Sequence, residues 1–245
     1  MTWSILARDG RGNFGVAIAS RFFAVGALCV HTRRALGVLS TQALMNPTYG
    51  PRGMDLLASG LSAQSTAATL VDADAGRDQR QLHVMPASGP AAAFTGSSCV
   101  DWCGHQIFED FSVAGNMLAG PQVLEATANA YRESAGLPMA ERLLAAMTAG
   151  EDAGGDKRGK QSAALRIQGD EDYLQLDLRV DDHEEPMLEL RRLYDKSLER
   201  FQPFLSCLAG RHDAVGLTVR SEIEARIAQF QAQRLAQAQR LPSPP

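Results

Sequence analysis

At 245 residues, with 45% hydrophobic and 21% charged side chains, the chain is long enough to bury a sizeable core in one large domain or two small ones. Its net charge of −4 argues against a nucleic-acid-binding function, which usually needs a basic face. No window approaches the roughly 20 apolar residues of a membrane span. No basic region followed by an apolar core opens the chain, so we expect no signal peptide, no membrane partner and a cytoplasmic location.

The first 45 residues have the pattern of antiparallel strands. TWSILAR and FGVAIAS flank a turn that contains Asp-Gly and Gly-Asn, which is a strong hairpin signal. GALCVHT and ALGVLSTQAL, joined around Arg33 and Arg34, predict a second hairpin. We therefore expect a β-meander here, with small residues that allow another layer to pack closely.

Helices and strands then follow in groups. PRGMDLLASG and SAQSTAATLVDADAG predict helices, with Ser62 as the N-cap of the second and Gly76 as its stop. RQLHVMP and PAAAFTG predict a hairpin, and FSVAGNML predicts a short strand. PQVLEATANAYRES and PMAERLLAAMTAGE predict amphipathic helices that open on proline. SAALRIQ and YLQLDLRV predict strands, and EEPMLELRRLYDKSLERFQPFL predicts a helix that Pro203 kinks or ends.

This order differs from the strict strand–helix alternation of a doubly wound fold and predicts the α+β class, with antiparallel sheets covered by helices. The tail after about residue 210 is rich in Ala, Gln and Arg. We expect a main domain over residues 1–209 and a C-terminal helical extension over residues 210–245 with a disordered proline-rich end. Apolar residues at helical spacing in this tail suit packing on the domain or on a neighbouring subunit, so a homodimer or higher homo-oligomer is expected.

Familiar catalytic motifs are missing from the sequence. The four cysteines and five histidines are not spaced as zinc ligands, so we expect no metal centre and no cofactor. G-x-S-x-G and H-E-x-x-H do not occur. The spacing of Gly155 and Gly159 also differs from that of a phosphate-binding loop.

The glycine-rich segment GEDAGGDKRGKQSAALRI, between a helix and a strand, is the first candidate site. Gly154 and Gly155 would let the backbone approach a ligand closely. Its polar side chains could bind a carboxylate or orient a catalytic group, although an ordinary solvated loop is the alternative. The candidates here are Asp156, Lys157, Arg158, Lys160, Gln161 and Ser162.

Neutral amide donors of the kind that stabilise an oxyanion occur in two other segments. Gln42 and Asn46 belong to STQALMNPTYGPRG, and Asn116 follows a strand in SVAGNML. Both segments also have a simpler interpretation, as turns that carry no chemistry.

The segment RVDDHEEP places Asp181, Asp182 and His183 at the end of a strand. These residues could be metal ligands or a base and its orienting group. The alternative is an exposed strand end in which Asp182 caps the next helix.

Thr2 raises a different possibility for the nucleophile. Removal of Met1 would expose a free α-amine beside the Thr2 hydroxyl. An α-amine has a pKa of about 7.7–8.0, so part of it is neutral at pH 7 and can act as the base for its own hydroxyl. One residue would then supply both nucleophile and base without any histidine.

Segments spread along the chain resemble one bacterial and archaeal family, catalogued as domain of unknown function 1028. They are MTWSILARDG, GVAIASRFFAVGAL, STQALMNPTYGPRGMDLL, FTGSSCVDWCGH, VAGNMLAG, AGGDKRGKQSAAL and DLRVDDHEEP. The resemblance runs in order from residue 2 to about residue 195. That family is grouped with the N-terminal nucleophile (Ntn) hydrolases, so the resemblance implies a four-layer αββα sandwich of two antiparallel sheets.

The resemblance also implies a set of site residues. Thr2 would be the nucleophile, and Ser20 could face it across the hairpin. The implied oxyanion donors are Asn116 with its neighbouring backbone, or Gln42 and Asn46. Groups that orient the amine or lower its pKa would come from Asp156, Lys157, Arg158 or Ser162, while Asp182 and His183 match the family pattern without an assigned role.

These features together predict an amidohydrolase that cleaves a small amide or N-acyl compound. Thr2 would attack the carbonyl, and the basic loop would bind a substrate carboxylate. Two alternatives stay open: a catalytically inactive binding or scaffold protein on the same fold, and a metal-dependent enzyme that uses Asp181, Asp182 and His183.

Overall fold

A computed structural model describes residues 2–238 of the chain. Met1 and most of the proline-rich end that was expected to be disordered lie outside the described residues. The contacts divide the chain into two compact units, one up to Arg191 and one from Arg192 onward. The domain boundary predicted between residues 209 and 210 stays a prediction.

The described residues form ten strands and eight α-helices, which confirms the mixed α+β class. The strands are β1 (Thr2–Arg8), β2 (Phe14–Ser20), β3 (Val30–Arg33), β4 (Gly37–Ala43), β5 (Arg80–Pro86), β6 (Ala92–Thr95), β7 (Gly104–Ile107), β8 (Phe111–Asn116), β9 (Ser162–Gln168) and β10 (Leu176–Val180). The helices are α1 (Val25–Leu28), α2 (Tyr49–Ala58), α3 (Ala63–Asp72), α4 (Gln122–Glu133), α5 (Met139–Asp152), α6 (Pro186–Ser197), α7 (Phe201–Leu205) and α8 (Arg220–Ala238).

The strands form two antiparallel sheets. The six-stranded sheet has the order β10-β9-β2-β1-β8-β7, and the four-stranded sheet has the order β3-β4-β5-β6. The expected meander over the first 45 residues is therefore wrong, because its two hairpins belong to different sheets. Part of GALCVHT forms the short helix α1 instead of a strand, which carries the chain from one sheet to the other.

Local signals explain several element ends. The Asp9 carboxylate accepts hydrogen bonds from the backbone N–H of Arg11 and Asn13, which stabilises the turn between β1 and β2. Ser62 caps α3 as predicted, since its hydroxyl accepts from the Ser65 N–H. The long helix predicted around Pro203 is divided, with α6 ending at Ser197 and α7 starting at Phe201.

Helices α4 and α5 contact the six-stranded sheet, and α2 and α3 contact the four-stranded one. The two sheets also contact each other, through β1 and β2 on one side and β4 and β5 on the other. Leu6, Ile18, Val38 and Met85 belong to a buried apolar cluster between them. At Thr2 and Ser4 the same face of β1 becomes polar. None of the described helices is long and apolar enough to cross a membrane.

Candidate functional site

A row of polar residues crosses one end of the six-stranded sheet. The register places Thr2 opposite Asn116 on β8, and Ser20 on β2 opposite Ser162 on β9. The Thr2 Oγ1 donates a hydrogen bond to the Ser20 Oγ at 3.2 Å, which joins the two pairs. All four residues are buried. The sheet thus brings together four candidates that the sequence predicted from four separate segments.

Asn116 presents its amide to the start of β1. Its Nδ2 donates to the Thr2 carbonyl oxygen at 3.4 Å and to the Gln81 Oε1 at 2.9 Å. The bond to Gln81 is the shorter one. Because the Gln81 Oε1 can only accept, it fixes the Asn116 carboxamide with its nitrogen towards Thr2. Asn116 is therefore a rigidly held donor next to the candidate nucleophile.

Gln81 is the centre of a buried hydrogen-bond network between the two sheets. Its Oε1 accepts from Asn116 and, at 2.8 Å, from the Gln42 Nε2. Its Nε2 donates to the Gly115 carbonyl at 2.8 Å and to the Thr95 Oγ1 at 2.9 Å. Gln42 thus supports Asn116 through Gln81. Sequence reasoning missed Gln81, although an inward-facing glutamine within a predicted apolar strand is a usable signal.

His83 extends this network and was also missed. The Ser4 Oγ donates to the Gln42 Oε1 at 2.8 Å, so it can only accept from the His83 Nε2, which lies 2.8 Å away. The other ring nitrogen, Nδ1, then accepts from the Ser112 Oγ at 2.9 Å. Burial lowers the pKa of His83 to about 3. The imidazole is therefore neutral near pH 7, with one tautomer selected by its neighbours.

Asp156 ties the glycine-rich loop to the end of β2. Its Oδ2 accepts from the backbone N–H of Arg21, and its Oδ1 accepts from that of Arg158, both at 2.8 Å. The Arg158 guanidinium also pairs with the Asp156 carboxylate at 3.2 Å. Ser162 has a similar anchoring role, since its hydroxyl donates to the Phe22 carbonyl at 2.5 Å. These contacts hold the residues that flank Ser20.

The other cations of the loop also have partners. The Lys157 Nζ donates to the Asp101 carbonyl at 2.6 Å. The Lys160 Nζ lies 3.0 Å from Glu151 and 2.5 Å from Glu185, and the bond to Glu185 is the main cause of the raised pKa of Lys160. A substrate carboxylate would have to compete with these contacts, because the Lys157 and Lys160 ammonium groups already have hydrogen-bond partners.

Asn46 belongs to a different cluster from Thr2. Its Nδ2 donates to the Asp74 carboxylate at 3.0 Å, and the same carboxylate accepts from the Tyr49 hydroxyl and the Arg80 guanidinium. These contacts stabilise the start of α2. The structure does not place the Asn46 amide in the row that contains Thr2.

The three residues of the RVDDHEEP segment point to three different partners. Asp181 forms an ion pair with Arg179 at 2.7 Å, and Asp182 accepts from the Gln161 Nε2 at 3.0 Å. The His183 Nδ1 accepts from the Glu185 backbone N–H at 2.9 Å, next to the start of α6. Within residues 2–238, no group of three or more His, Cys, Asp or Glu side chains is arranged to hold a metal ion.

Two cavities adjoin the polar row on different sides of Thr2. The first, which we call the Ser20 cavity, has a volume of about 90 Å³ and is lined by residues that include Trp3, Ser20, Glu151 and Asp156. The second, the Asn116 cavity, has a volume of about 240 Å³ and is lined by residues that include Leu44, Val100, Asn116 and Met117. Both hydrogen-bonding neighbours of Thr2 therefore reach a space that a small molecule could enter.

Fold and site together define an α+β protein that carries a buried polar row where its first strand begins. Residues 2–190 match the model of a family of unknown function, DUF1028, and the chain belongs to that family. The crystal structure of protein SPO2555 from Silicibacter pomeroyi, described under the same family, is 30% identical in sequence. That match has a TM-score of 0.82 and covers 89% of this chain and 96% of the other.

A weaker likeness links the chain to Anbu (ancestral beta-subunit) from Yersinia bercovieri. It has a TM-score of 0.39 and 13% identity, over 80% of this chain and 94% of that one. No curated protein matches the chain.

Proposed function

We propose that this protein is an amidohydrolase of the Ntn type, in which Thr2 is the nucleophile once Met1 has been removed. The proposal includes a four-layer αββα arrangement of the two sheets and their helices. It is supported by the contacts of α4 and α5 with one sheet, of α2 and α3 with the other, and of the sheets with each other.

The single observation that carries the proposal is the placement of Thr2. Its hydroxyl donates to Ser20, and the amide of Asn116 lies against its carbonyl, all at the first residue of the first strand. Elsewhere in the described network, the hydroxyls of Ser4 and Ser112 are held by the neutral His83 deep between the sheets. Thr2 combines its contacts to Ser20 and Asn116 with an α-amine that removal of Met1 would expose.

The reaction follows from these groups. The neutral α-amine of Thr2 accepts the hydroxyl proton, directly or through a water, as the Thr2 Oγ1 attacks the amide carbon. Gln81 fixes the orientation of the Asn116 carboxamide, and the Asn116 Nδ2 exchanges its long bond to the Thr2 carbonyl for a bond to the oxygen that becomes negative. The protonated α-amine gives its proton to the leaving nitrogen, the C–N bond breaks, and water then hydrolyses the ester on Thr2.

Mass spectrometry of the intact protein, made with its natural start, is the first test. We expect a mass that lacks Met1 and, after treatment with a β-lactone, one adduct that peptide mapping assigns to Thr2. Thr2→Ala should lose the adduct, and Thr2→Ser should keep it. Thr69→Ala is the matched control, because this threonine lies exposed on α3 and bonds only locally, to the Ser65 carbonyl.

Activity gives the second readout. On any amide that the protein hydrolyses, Thr2→Ala should reduce kcat by about a thousand-fold or more, as expected when a nucleophile is removed. A retained Met1, or a Thr2→Ala variant as active as the wild type, would refute the proposed mechanism.

One observation favours a second candidate, a binding protein that keeps the fold without catalysis. Thr2 is only 5% exposed and is not among the residues that line the two cavities beside it. A retained Met1 together with saturable binding of a small molecule would favour this candidate. The cytoplasmic location and the homodimer belong to the proposal as well, and light scattering on the purified protein tests the oligomeric state.

A further inference from the structure

The Asn116 cavity lies at one end of the space between the two sheets. Ala43 ends β4, Asn116 ends β8, and Leu44 and Met117 follow them, so both sheets contribute to its wall. Asn116 and Thr2 are opposite each other in the register between β8 and β1. Side chains at directly opposite positions lie on the same face of a sheet, with Cβ atoms about 5 Å apart. The cavity therefore reaches the residue that lies beside the proposed nucleophile.

The lining of this cavity contains no ionised side chain among the described residues. Its apolar members are Ala43, Leu44, Val100 and Met117, and its polar members are Gln79, Ser98, Cys99 and Asn116. Burial raises the pKa of the Cys99 thiol, which donates to the Arg80 carbonyl at 3.3 Å, so this thiol is neutral near pH 7. A charged group would lose hydration in the cavity without gaining an opposite charge.

Three charged residues, Asp78, Arg80 and Asp101, adjoin the lining residues in the chain without lining the cavity. The Arg80 guanidinium pairs with the Asp74 carboxylate at 3.0 Å and donates to the Leu44 carbonyl, so it is not available to a ligand. The carboxylates of Asp78 and Asp101 belong to exposed residues, where water solvates them. An anionic ligand is therefore disfavoured, and no carboxylate of the described chain lines the cavity to bind a cationic one.

The cavity has room for a short carbon chain. Its volume is about 240 Å³, and an apolar cavity of about 150 Å³ is large enough to bind benzene. Asn116 and Cys99 are buried, whereas Leu44 and Val100 are exposed, so the lining runs from the interior to the surface. A chain of about six carbon atoms can therefore extend from Asn116 to solvent and cover Leu44 and Val100.

The backbone of this wall is strained at two positions. Ala43 and Met117 have φ angles of 67° and 54°, and they are two of the four non-glycine residues in this left-handed region within the described part of the chain. The Gln79 carbonyl accepts from the Leu44 N–H, and the Val100 carbonyl accepts from the Met117 N–H. Bonds between lining residues thus stabilise both strained turns. Such strain persists where the surroundings hold it, and it clusters at ligand-binding sites.

We propose that the Asn116 cavity binds an uncharged, apolar acyl group of about four to six carbon atoms. Resting on the proposed function, this names the substrate class: amides of short aliphatic carboxylic acids. The acyl group stays bonded to Thr2 after the amine has left, and its carbonyl oxygen is the atom that the Asn116 amide stabilises. The carbon chain of the acyl group is therefore the part of the substrate that remains beside this cavity in both steps.

Binding of hexanamide to Thr2→Ala, which lacks the proposed nucleophile, tests the site in a saturation-transfer NMR titration. We expect saturable binding. The ω-amino derivative of hexanamide and the monoamide of adipic acid end a chain of the same length in an ammonium and a carboxylate, and each should bind weaker by about tenfold or more. Acetamide should also bind weaker by about tenfold or more, since burial of each methylene strengthens binding by about threefold to fourfold.

Aspartate substitutions in the exposed part of the lining test the location. Val100→Asp should weaken hexanamide binding by about tenfold or more and strengthen binding of the ω-amino derivative. Val219→Asp is the matched control and should stay within about twofold, because Val219 is 50% exposed, against 49% for Val100, and does not line the cavity. Leu44→Asp, at a second exposed lining position, should repeat the effect of Val100→Asp, and circular dichroism checks that each variant is folded.

The binding test separates this inference from the proposed catalysis. Saturable hexanamide binding in a protein that forms no adduct on Thr2 and hydrolyses no amide would refute only the hydrolase. Absence of saturable hexanamide binding, equally tight binding of either charged analogue, or equal effects of Val100→Asp and Val219→Asp would overturn the acyl site.

Chain-length dependence in an active enzyme shows which end of the substrate occupies the cavity. Lengthening the acyl chain from acetamide to hexanamide should raise kcat/KM by about tenfold or more. Lengthening the amine chain from N-methylacetamide to N-butylacetamide should raise it by less than about threefold, because the leaving amine lies outside the cavity. The reverse order would show that the cavity binds the amine, and it would overturn the acyl assignment alone.

Discussion

Replacing Gln81 by leucine should destabilise the protein strongly, because Gln81 connects the two sheets through both ends of its carboxamide. The substitution keeps a side chain of similar size but removes the acceptor used by Gln42 and Asn116. The Gln42 Nε2 has no other acceptor among the described contacts, and the Gly115 carbonyl loses a side-chain donor at 2.8 Å. At about 1–3 kcal/mol for each buried group left unpaired, we expect a loss of about 3–5 kcal/mol in the free energy of unfolding.

Urea denaturation, followed by circular dichroism, measures this change. The matched control is Gln79→Leu, an identical substitution two residues away at an exposed position, which should change the free energy of unfolding by less than about 0.5 kcal/mol. The adduct on Thr2 gives a second readout, since Asn116 should lose its fixed orientation in Gln81→Leu. A loss of less than about 1 kcal/mol would refute the view that this network is a fully satisfied unit of the core.

Two further predictions concern His83 and Gly150. Because burial holds the pKa of His83 at about 3, below the value of about 6.5 in an unfolded chain, the unfolded state takes up the proton first as the pH falls. In urea denaturation, the contribution of His83 to the free energy of unfolding should be constant above pH 7, and the protein should lose about 2 kcal/mol at pH 5. The His83→Gln variant should not show this loss. An equal dependence of the unfolding free energy on pH in both proteins would contradict the prediction. An added Cβ at Gly150 would clash with the Thr127 Oγ1 and lie 2.8 Å from the Trp3 Nε1, so Gly150→Ala should cost about 1–3 kcal/mol despite better helix propensity. Thermal denaturation of both variants measures this change. Gly136→Ala is the control and should leave the stability unchanged, because nothing lies within 4 Å of an added Cβ there. If Gly150→Ala also left the stability unchanged, the expected clash between α4 and α5 would be contradicted.

Patterns within single segments were enough to predict most elements. The alternation of TWSILAR and FGVAIAS around a glycine-containing turn predicted the β1–β2 hairpin, and Ser62 predicted the start of α3. These features depend on neighbours within a few residues, so local propensity and turn chemistry decide them. The family membership, which covers residues 2–190, was likewise recognisable from the order of its segments.

Predictions failed where a distant partner decided the outcome. The same two-residue alternation describes β2 and β4, and nothing in it states that these strands belong to different sheets. Strand β7 was missed because GHQI is short and only partly buried, and it is held by pairing with β8.

In the candidate site, too, local sequence patterns identified residues, whereas long-range packing decided how those residues are arranged. The sequence singled out Thr2, Asn116 and Ser162 in separate segments, and the family resemblance added Ser20. Only the tertiary structure aligned them in one row, because the register between β1 and β8 joins residues 114 positions apart. It also decided that Gln81 and His83 are buried hydrogen-bonding groups, since the opposite sheet supplies Asn116 to the first and Ser4 and Ser112 to the second. A strand pattern determines which face a side chain occupies, whereas the packing of two sheets determines what that face meets.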